Sequence, residues 1–258
     1  TGSGDPTWGM AEYGGGYRKP FDSIAHALRE RGVQRVFGPI QVLFVDPRWD
    51  QLEYPHGWTA EDHVHCYGAL PQSINIRGNC ASFVVTGRET GYWREQGVPV
   101  RVRLAIQTGT EAVLWATPDA SDGFVIHGTW PARPTASMVL KLPIRKSREW
   151  AFNLLRQALQ RAGISIQESP SFAYDEMMVY DETVYQIQMQ SIPLSDLLMP
   201  FMKGSINLVG EALFKTLGQR YGGAALSLNQ AGVEVMRDYI AQIGTPSAEA
   251  LKITPETG

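Results

Sequence analysis

Three stretches of the 258-residue chain combine residue types and spacings that could carry chemistry. The first is Ser205-Ile206-Asn207. A serine hydroxyl in such a triplet can relay a proton between a base and a leaving group, and the nearby amide can bind a carbonyl and steady a lysine. Ser73-Ile74-Asn75 and Ser227-Leu228-Asn229 repeat the pattern, but only position 205 falls between two helical patterns with Lys203-Gly204 just ahead. The second stretch is His63-Val64-His65-Cys66, preceded by Glu61-Asp62. On a strand its two imidazoles would face one way and could reach one zinc, with His56 or Glu61 as a third ligand. No Cys-x-x-Cys or His-Glu-x-x-His accompanies it, so these read as surface histidines, with no metal ligand and no cofactor expected. The third is the acidic run Glu168, Asp175, Glu176, Asp181, Glu182. Paired carboxylates can run acid–base chemistry. Interleaved with Met177, Met178, Val179 and Tyr180, they read instead as the solvent face of a strand or loop. Gly14-Gly15-Gly16 lacks the Lys-Ser/Thr and the preceding strand of a phosphate loop, and reads as a turn. Gly-x-Ser-x-Gly is absent.

The elements that would position these residues change character along the chain. Asp22 or Ser23 caps an expected helix to Arg31, with Ile24, Ala27 and Leu28 on one face. A strand over 34–46 follows, its Ile40 to Val45 run apolar enough for burial on both faces. From Pro47 to Trp130 the pattern is short strands with turns between them. Ser73–Ile76 and Ala81–Thr86 flank a hairpin-like break at Arg77-Gly78-Asn79. Val98–Ile106 alternates apolar residues with Arg101 and Arg103, a half-buried strand with a basic outer face. Glu111–Thr117, Gly123–Trp130 and Met138–Leu142 add strands. Ser147 caps an amphipathic helix to Ala162, followed by a short strand at Ile164–Ile166. Beyond residue 190 the periodicity is helical, over Leu194–Met202, Leu208–Leu217 (bounded by Gly218) and Gln230–Ile243. The expected class is α+β: a β-rich part up to about residue 190, then a helical segment.

Apolar residues are 43% and charged residues 19% of the chain, the balance of a folded chain with a core. The net charge of -3 gives no footprint for nucleic acid. No apolar run reaches the roughly 20 residues of a membrane helix, and the first residues lack the regions of a signal peptide. Cys66 and Cys80, the two cysteines, can form one disulfide or remain two buried thiols.

Taken in order, the segments resemble the serine D-Ala-D-Ala carboxypeptidases among penicillin-binding proteins, the type with large inserted domains. Gly4-Asp5-Pro6-Thr7 is similar to that family's Gly-Asp-Pro-Thr-Leu, with Trp8 in place of Leu. Gly32-Val33 through Ile40 to Asp46 fits its helix-to-strand passage, with Pro39 unusual. Trp49, Gly57-Trp58, Tyr67-Gly68-Ala69, Ser73 to Asn79, Leu142-Pro143, the helix from Trp150 and Gly163-Ile164 follow in the family's order. The strongest block is Ser191 to Leu198, then Met202-Lys203-Gly204-Ser205-Ile206-Asn207-Leu208, then Glu211-Ala212-Leu213 and Leu217-Gly218. It resembles the family's Lys-x-Ser-Asp-Asn-Leu run, with Ile206 for the usual Asp or Asn and Gly210 for Ala. Ile253 to Thr257 resembles its Ile-Thr-Pro-x-Thr.

The resemblance implies hydrolysis of cell-wall peptides at D-Ala-D-Ala through an acyl-serine, outside the cytoplasm in the periplasm or cell envelope. Its partners would be peptidoglycan stem peptides or beta-lactams, and Ser205 and Asn207 its site residues, on one wall of the acylation site. It implies residues 1–46 and 131–190 as an α+β insert, 47–130 as a nested β-rich domain, and 191–258 as part of the penicillin-recognising domain. The family's nucleophile motif Ser-x-x-Lys occurs nowhere in the chain, nor does its Lys-Thr-Gly. Glu256-Thr257-Gly258 would repel the substrate carboxylate, and Thr245 to Ala250 stands where the family has Asp-Gly-Ser-Gly-Leu-Ser. Without a Ser nucleophile and its Lys base the chain has no activated acyl acceptor, and is expected to be inactive alone. The alternatives are a non-enzymatic binding module of the cell envelope and a metal-dependent hydrolase using His63 and His65.

Overall fold

The amphipathic helix expected near residue 150 organises the larger core. It is α2 (Ser147–Arg161), and its Trp150, Leu154 and Ala158, spaced by four, are buried together. They pack on α1 (Lys19–Glu30) through Phe21 and Ala25, and on the inner faces of two sheets. Burying a side chain of the size of Leu154 contributes about 1.5–3 kcal/mol, so this face holds the layers together. The computed structural model describes residues 4–37, 46–54, 57–133, 136–167, 187, 189–223 and 226–244. The expected strand residues Ile40 to Val45, the acidic run 168–182 and everything from 245 onward lie outside them.

One sheet has the order β3-β2-β7, all antiparallel: β2 (Cys80–Val85) between β3 (Gly91–Trp93) and β7 (Met138–Pro143). The other has the order β4-β6-β5. There β6 (Phe124–Pro131) runs parallel to β4 (Val102–Gly109) and antiparallel to β5 (Val113–Pro118). β1 (Arg35–Val36) and β8 (Ser165–Ile166) form a short parallel pair. Between 47 and 130 the described residues hold strands and short 3-10 turns and no α-helix. Helices then follow: α3 (Leu194–Gly204), α4 (Asn207–Tyr221) and α5 (Leu228–Gln242). The class is α+β.

Several boundaries differ from those expected. α1 begins at Lys19 because Pro20 sits in its first turn, where no N–H donor is needed. Ser147 is the first helical residue of α2, and not its cap. Ser73–Ile76 is no strand, because side-chain amides take the place of a ladder there. Asn75 Nδ2 donates to the carbonyls of Gly4, Asp5 and Gln72, and Asn79 Oδ1 accepts from the Ile76 N–H. β3 has no counterpart among the expected strands.

α4 runs through Gly218 to Tyr221, past its expected end. A Cβ at Gly218 would lie 2.1 Å from the Leu228 carbonyl oxygen, and one at Gly232 would lie 2.2 Å from that of Phe214. The glycine is therefore a crossing point between α4 and α5, and not a stop. Gly218→Ala is expected to cost about 1–3 kcal/mol by overpacking, whereas Gly223→Ala, which meets nothing, should be neutral. Thermal unfolding of the two variants checks this; equal midpoints would remove the crossing as a constraint.

Cys66 and Cys80 form a disulfide with Cα atoms 5.4 Å apart, within bridging range. Their separation of 14 residues gives an unfolded-state constraint worth about 3 kcal/mol. Denaturant unfolding with and without reductant should show that difference, and unfolded, unreduced protein should titrate no thiols. Two free thiols would refute the bridge.

Candidate functional site

α3 ends at Ser205, whose backbone is left-handed (φ 47°, ψ 52°) and whose N–H donates to the Phe201 carbonyl. A serine there costs of order 1 kcal/mol relative to glycine. The chain extends through Ile206 and re-enters a helix at Asn207, the first residue of α4. Ser205 is exposed at the break, and Asn207 is half-buried beside it. Gly210, one turn into α4, lies against α3: a Cβ would approach the Phe201 ring at 3.2 Å. Glycine in place of the family's alanine lets the two helices close on the break.

The Asn207 side chain is positioned from outside its own helix. Its Nδ2 donates to the Tyr67 carbonyl at 3.2 Å. The Tyr67 hydroxyl in turn donates to Asp62 at 2.7 Å. Asp62 also accepts from the Thr59 N–H and hydroxyl, and these bonds, the Thr59 N–H first, hold its carboxyl below the usual range. The bond to Asp62 raises the Tyr67 hydroxyl above its ordinary value. Around Tyr67 stands an aromatic wall. His65 stacks on it at 5.3 Å, Trp58 tilts against it at 6.2 Å, and His63 stacks on Tyr54 at 3.5 Å. Arg145 lies over Tyr54 at 5.6 Å.

The histidines are thus held by rings. Burial, then the charge of Arg145, pulls His63 below its ordinary value. They sit in and beside 3-10 turns, not on the expected strand. Among the described residues no group of three or more His, Cys, Asp or Glu could hold a metal, and His56 lies outside them.

The other two Ser-x-Asn triplets have structural roles. Ser73 donates to Asp50 and Asn75 is wholly buried. Ser227 caps α5, accepting from the Gln230 N–H.

Sequence reasoning missed what docks α4 against the loop beneath the site. Lys215 is 3% exposed, and its Nζ donates to the carbonyls of Trp49, Gln51 and Pro71 at 2.9, 3.3 and 3.2 Å. Glu211, one turn earlier, is also buried. Trp49 is wholly buried between them and the chain start, its indole N–H donating to Gln219. The available signal was a Glu-x-x-x-Lys spacing on the same helix face as Leu208 and Ala212, where charges must be paired or bonded.

Burial pushes Glu211 up to about 7 against the opposing pull of Lys215, and burial pulls Lys215 down to about 8. A carboxyl raised on folding stabilises fully below its unfolded value near about 4.3 and loses that contribution as pH rises through about 7. The lysine contribution is full above its unfolded value near about 10.4 and is lost as pH falls through about 8. Urea unfolding should show the wild-type protein losing roughly 2–3 kcal/mol from this carboxyl between pH 5 and 7.5, and Glu211→Gln free of that loss. An unchanged slope in the variant would refute the assignment.

Residues 1–251 match the D-Ala-D-Ala carboxypeptidase 3 (S13) family. The chain belongs to that family. A curated relative, the D-alanyl-D-alanine carboxypeptidase of Actinomadura sp. (strain R39), is 25% identical over 270 aligned positions, covering 96% of this chain and 46% of the relative. Penicillin binding protein 4 from Haemophilus influenzae superposes with a TM-score of 0.67 at 17% identity, over 93% of this chain and 53% of that one. The same protein complexed with a beta-lactam gives 0.60 at 16%, over 92% and 50%. These superpositions show a shared fold, and the chain spans about half the length of these family relatives. Among the described residues no helix is long and apolar enough to cross a membrane.

Proposed function

We propose that this chain supplies one wall of the acylation site of a serine-type cell-wall D-alanyl-D-alanine carboxypeptidase or endopeptidase. The substrate is the peptidoglycan stem peptide, with beta-lactams as its acylating mimics, and the setting is the periplasm or cell envelope. The reading rests on the break between α3 and α4, where Ser205 is exposed and Asn207 is held by Tyr67. One Asn207 amide hydrogen is committed to Tyr67. The second hydrogen can donate to a substrate carbonyl, and Oδ1 can accept from a lysine ammonium. The Ser205 hydroxyl is free to relay a proton to the leaving amine. The aromatic wall beside it offers an apolar surface to the rest of the peptide. We further propose the division into 1–46 with 131–190, nested 47–130, and 191–258. The change from strands to helices supports the last boundary, and the pairing of β1 with β8 supports joining 1–46 to 131–190.

The chain holds no Ser-x-x-Lys, so the nucleophile is not among its residues. Release of D-alanine from an acyl-D-Ala-D-Ala peptide tests this. The chain by itself should release none, and the chain joined to flanking segments bearing Ser-x-x-Lys and Lys-Thr-Gly should release it. Release by the chain alone, or none by the joined form, would refute the proposal.

A further inference from the structure

The sheet β4-β6-β5 buries one face in the core and leaves the other largely open, with Val125 on it buried. Its register sets three rows across the open face: Arg103–Val125–Thr117, Ala105–His127–Trp115 and Gln107–Thr129–Val113. The middle row carries two stacked rings. Trp115 is 53% exposed, and its ring lies within 16° of parallel to His127, with centroids 5.9 Å apart. The Thr117 hydroxyl and His127 Nε2, 2.9 Å apart, fix that imidazole. Ala105 continues the floor without rising above it. Arg103 and Gln107 flank Ala105 on the same strand, about 7 Å away on either side.

An exposed, pre-oriented pair of rings between rows that carry Arg103 and Thr117 on one side and Gln107 and Thr129 on the other matches the two-sided chemistry of a sugar ring. Its C–H face packs on an aromatic plane, while its equatorial hydroxyls need donors and acceptors at the edge. A protein partner would be expected to find a broad apolar core to its patch, and Trp115 and Val113 are the two large exposed apolar side chains on this face among the described residues. The charge of the face is one-sided. Arg103 projects from β4 and Arg101 lies one residue before that strand, and neither has a carboxylate partner among the described residues. Glu111, Asp119 and Asp122 lie in the turns at the ends of the strands, outside the rows.

We propose that this face binds a carboxylate-bearing oligosaccharide, with sugar rings stacked along Trp115 and His127 and a carboxylate on Arg103. The site is independent of Ser205 and Asn207, so it stands or falls apart from the acylation reading. Two probes separate its parts: a tetrasaccharide of alternating N-acetylglucosamine and N-acetylmuramic acid, and chitotetraose, which lacks the lactyl carboxylates. Calorimetric titration of the whole chain should show the acidic probe binding more tightly than chitotetraose. Trp115→Ala should weaken it roughly tenfold or more, and Trp115→Phe should largely restore it. Arg103→Gln should bring the acidic probe to the chitotetraose level. Trp115 is exposed, so an unchanged unfolding midpoint confirms that Trp115→Ala folds. No binding of either probe, or Trp115→Ala binding as wild type, would overturn the proposal. So would equal affinity for both probes, or a dimer in sedimentation that Trp115→Ala dissociates.

Discussion

Lys215→Met is expected to cost about 3–5 kcal/mol, enough to unfold a marginal domain near its working temperature. The methionine matches the lysine stem in length and apolar character, so the loss isolates the ammonium. That group satisfies three carbonyls from two separate loop segments, at Trp49, Gln51 and Pro71, all below α4. Removing it strands the buried carbonyls of Trp49 and Pro71, at about 1–3 kcal/mol each when nothing replaces it. Relaxation of the loop recovers part of the sum. Glu211 cushions a little more, because burial already raises its carboxyl to about 7 and it protonates when its partner is gone. Lys215→Arg should not rescue: a forked guanidinium cannot match three carbonyls converging on one nitrogen. Urea unfolding at pH 7.5 measures the loss. A change below about 1 kcal/mol would mean that the carbonyls find other partners and that α4 is docked by its apolar face alone.

Asn207→Ala has the second large effect, on chemistry instead of stability. In the chain joined to segments bearing Ser-x-x-Lys and Lys-Thr-Gly, it is expected to lower acylation by about 100- to 1000-fold. That is the range for deleting one positioned amide donor at a reacting carbonyl. Asn207 is half-buried at the first position of α4 and makes one bond to Tyr67, so its loss should lower stability by only about 1 kcal/mol. Tyr67→Phe separates position from chemistry. It keeps the carbonyl that holds Asn207 and removes only the hydroxyl bond to Asp62, so acylation should fall far less. Equal losses in both variants would shift the effect from the amide to the aromatic wall.

What could be read in advance followed the range of each signal. Periodicity is local, and it located α2, α3 and the strands of both sheets except β3 to within a few residues. The resemblance, carried by ordered segments, selected Ser205-Ile206-Asn207 over its two look-alikes. The structure explains why those are different: Asn75 and Ser227 are consumed by backbone bonds. The errors arose where a distant partner decides a local choice. Gly218 has the appearance of a helix stop until Leu228 is brought against it. Ser73–Ile76 alternates like a strand until buried amides take its hydrogen bonds. Tyr67 holds Asn207 from 140 residues away along the chain, and Lys215 bonds loop carbonyls 144 to 166 residues away. No window of sequence contains both ends of those bonds.

Covalent labelling by a fluorescent penicillin tests the central claim most directly: that Ser205 and Asn207 form a wall of an acyl-serine site whose nucleophile lies elsewhere. The chain and its Ser205→Ala variant are incubated with the probe beside the joined form, denatured, and run on a gel. The expected result is no label on the chain alone, label on the joined form, and residual label when Ser205 is alanine in the joined form. Label on the chain alone that disappears in Ser205→Ala would contradict the account and make Ser205 itself the nucleophile.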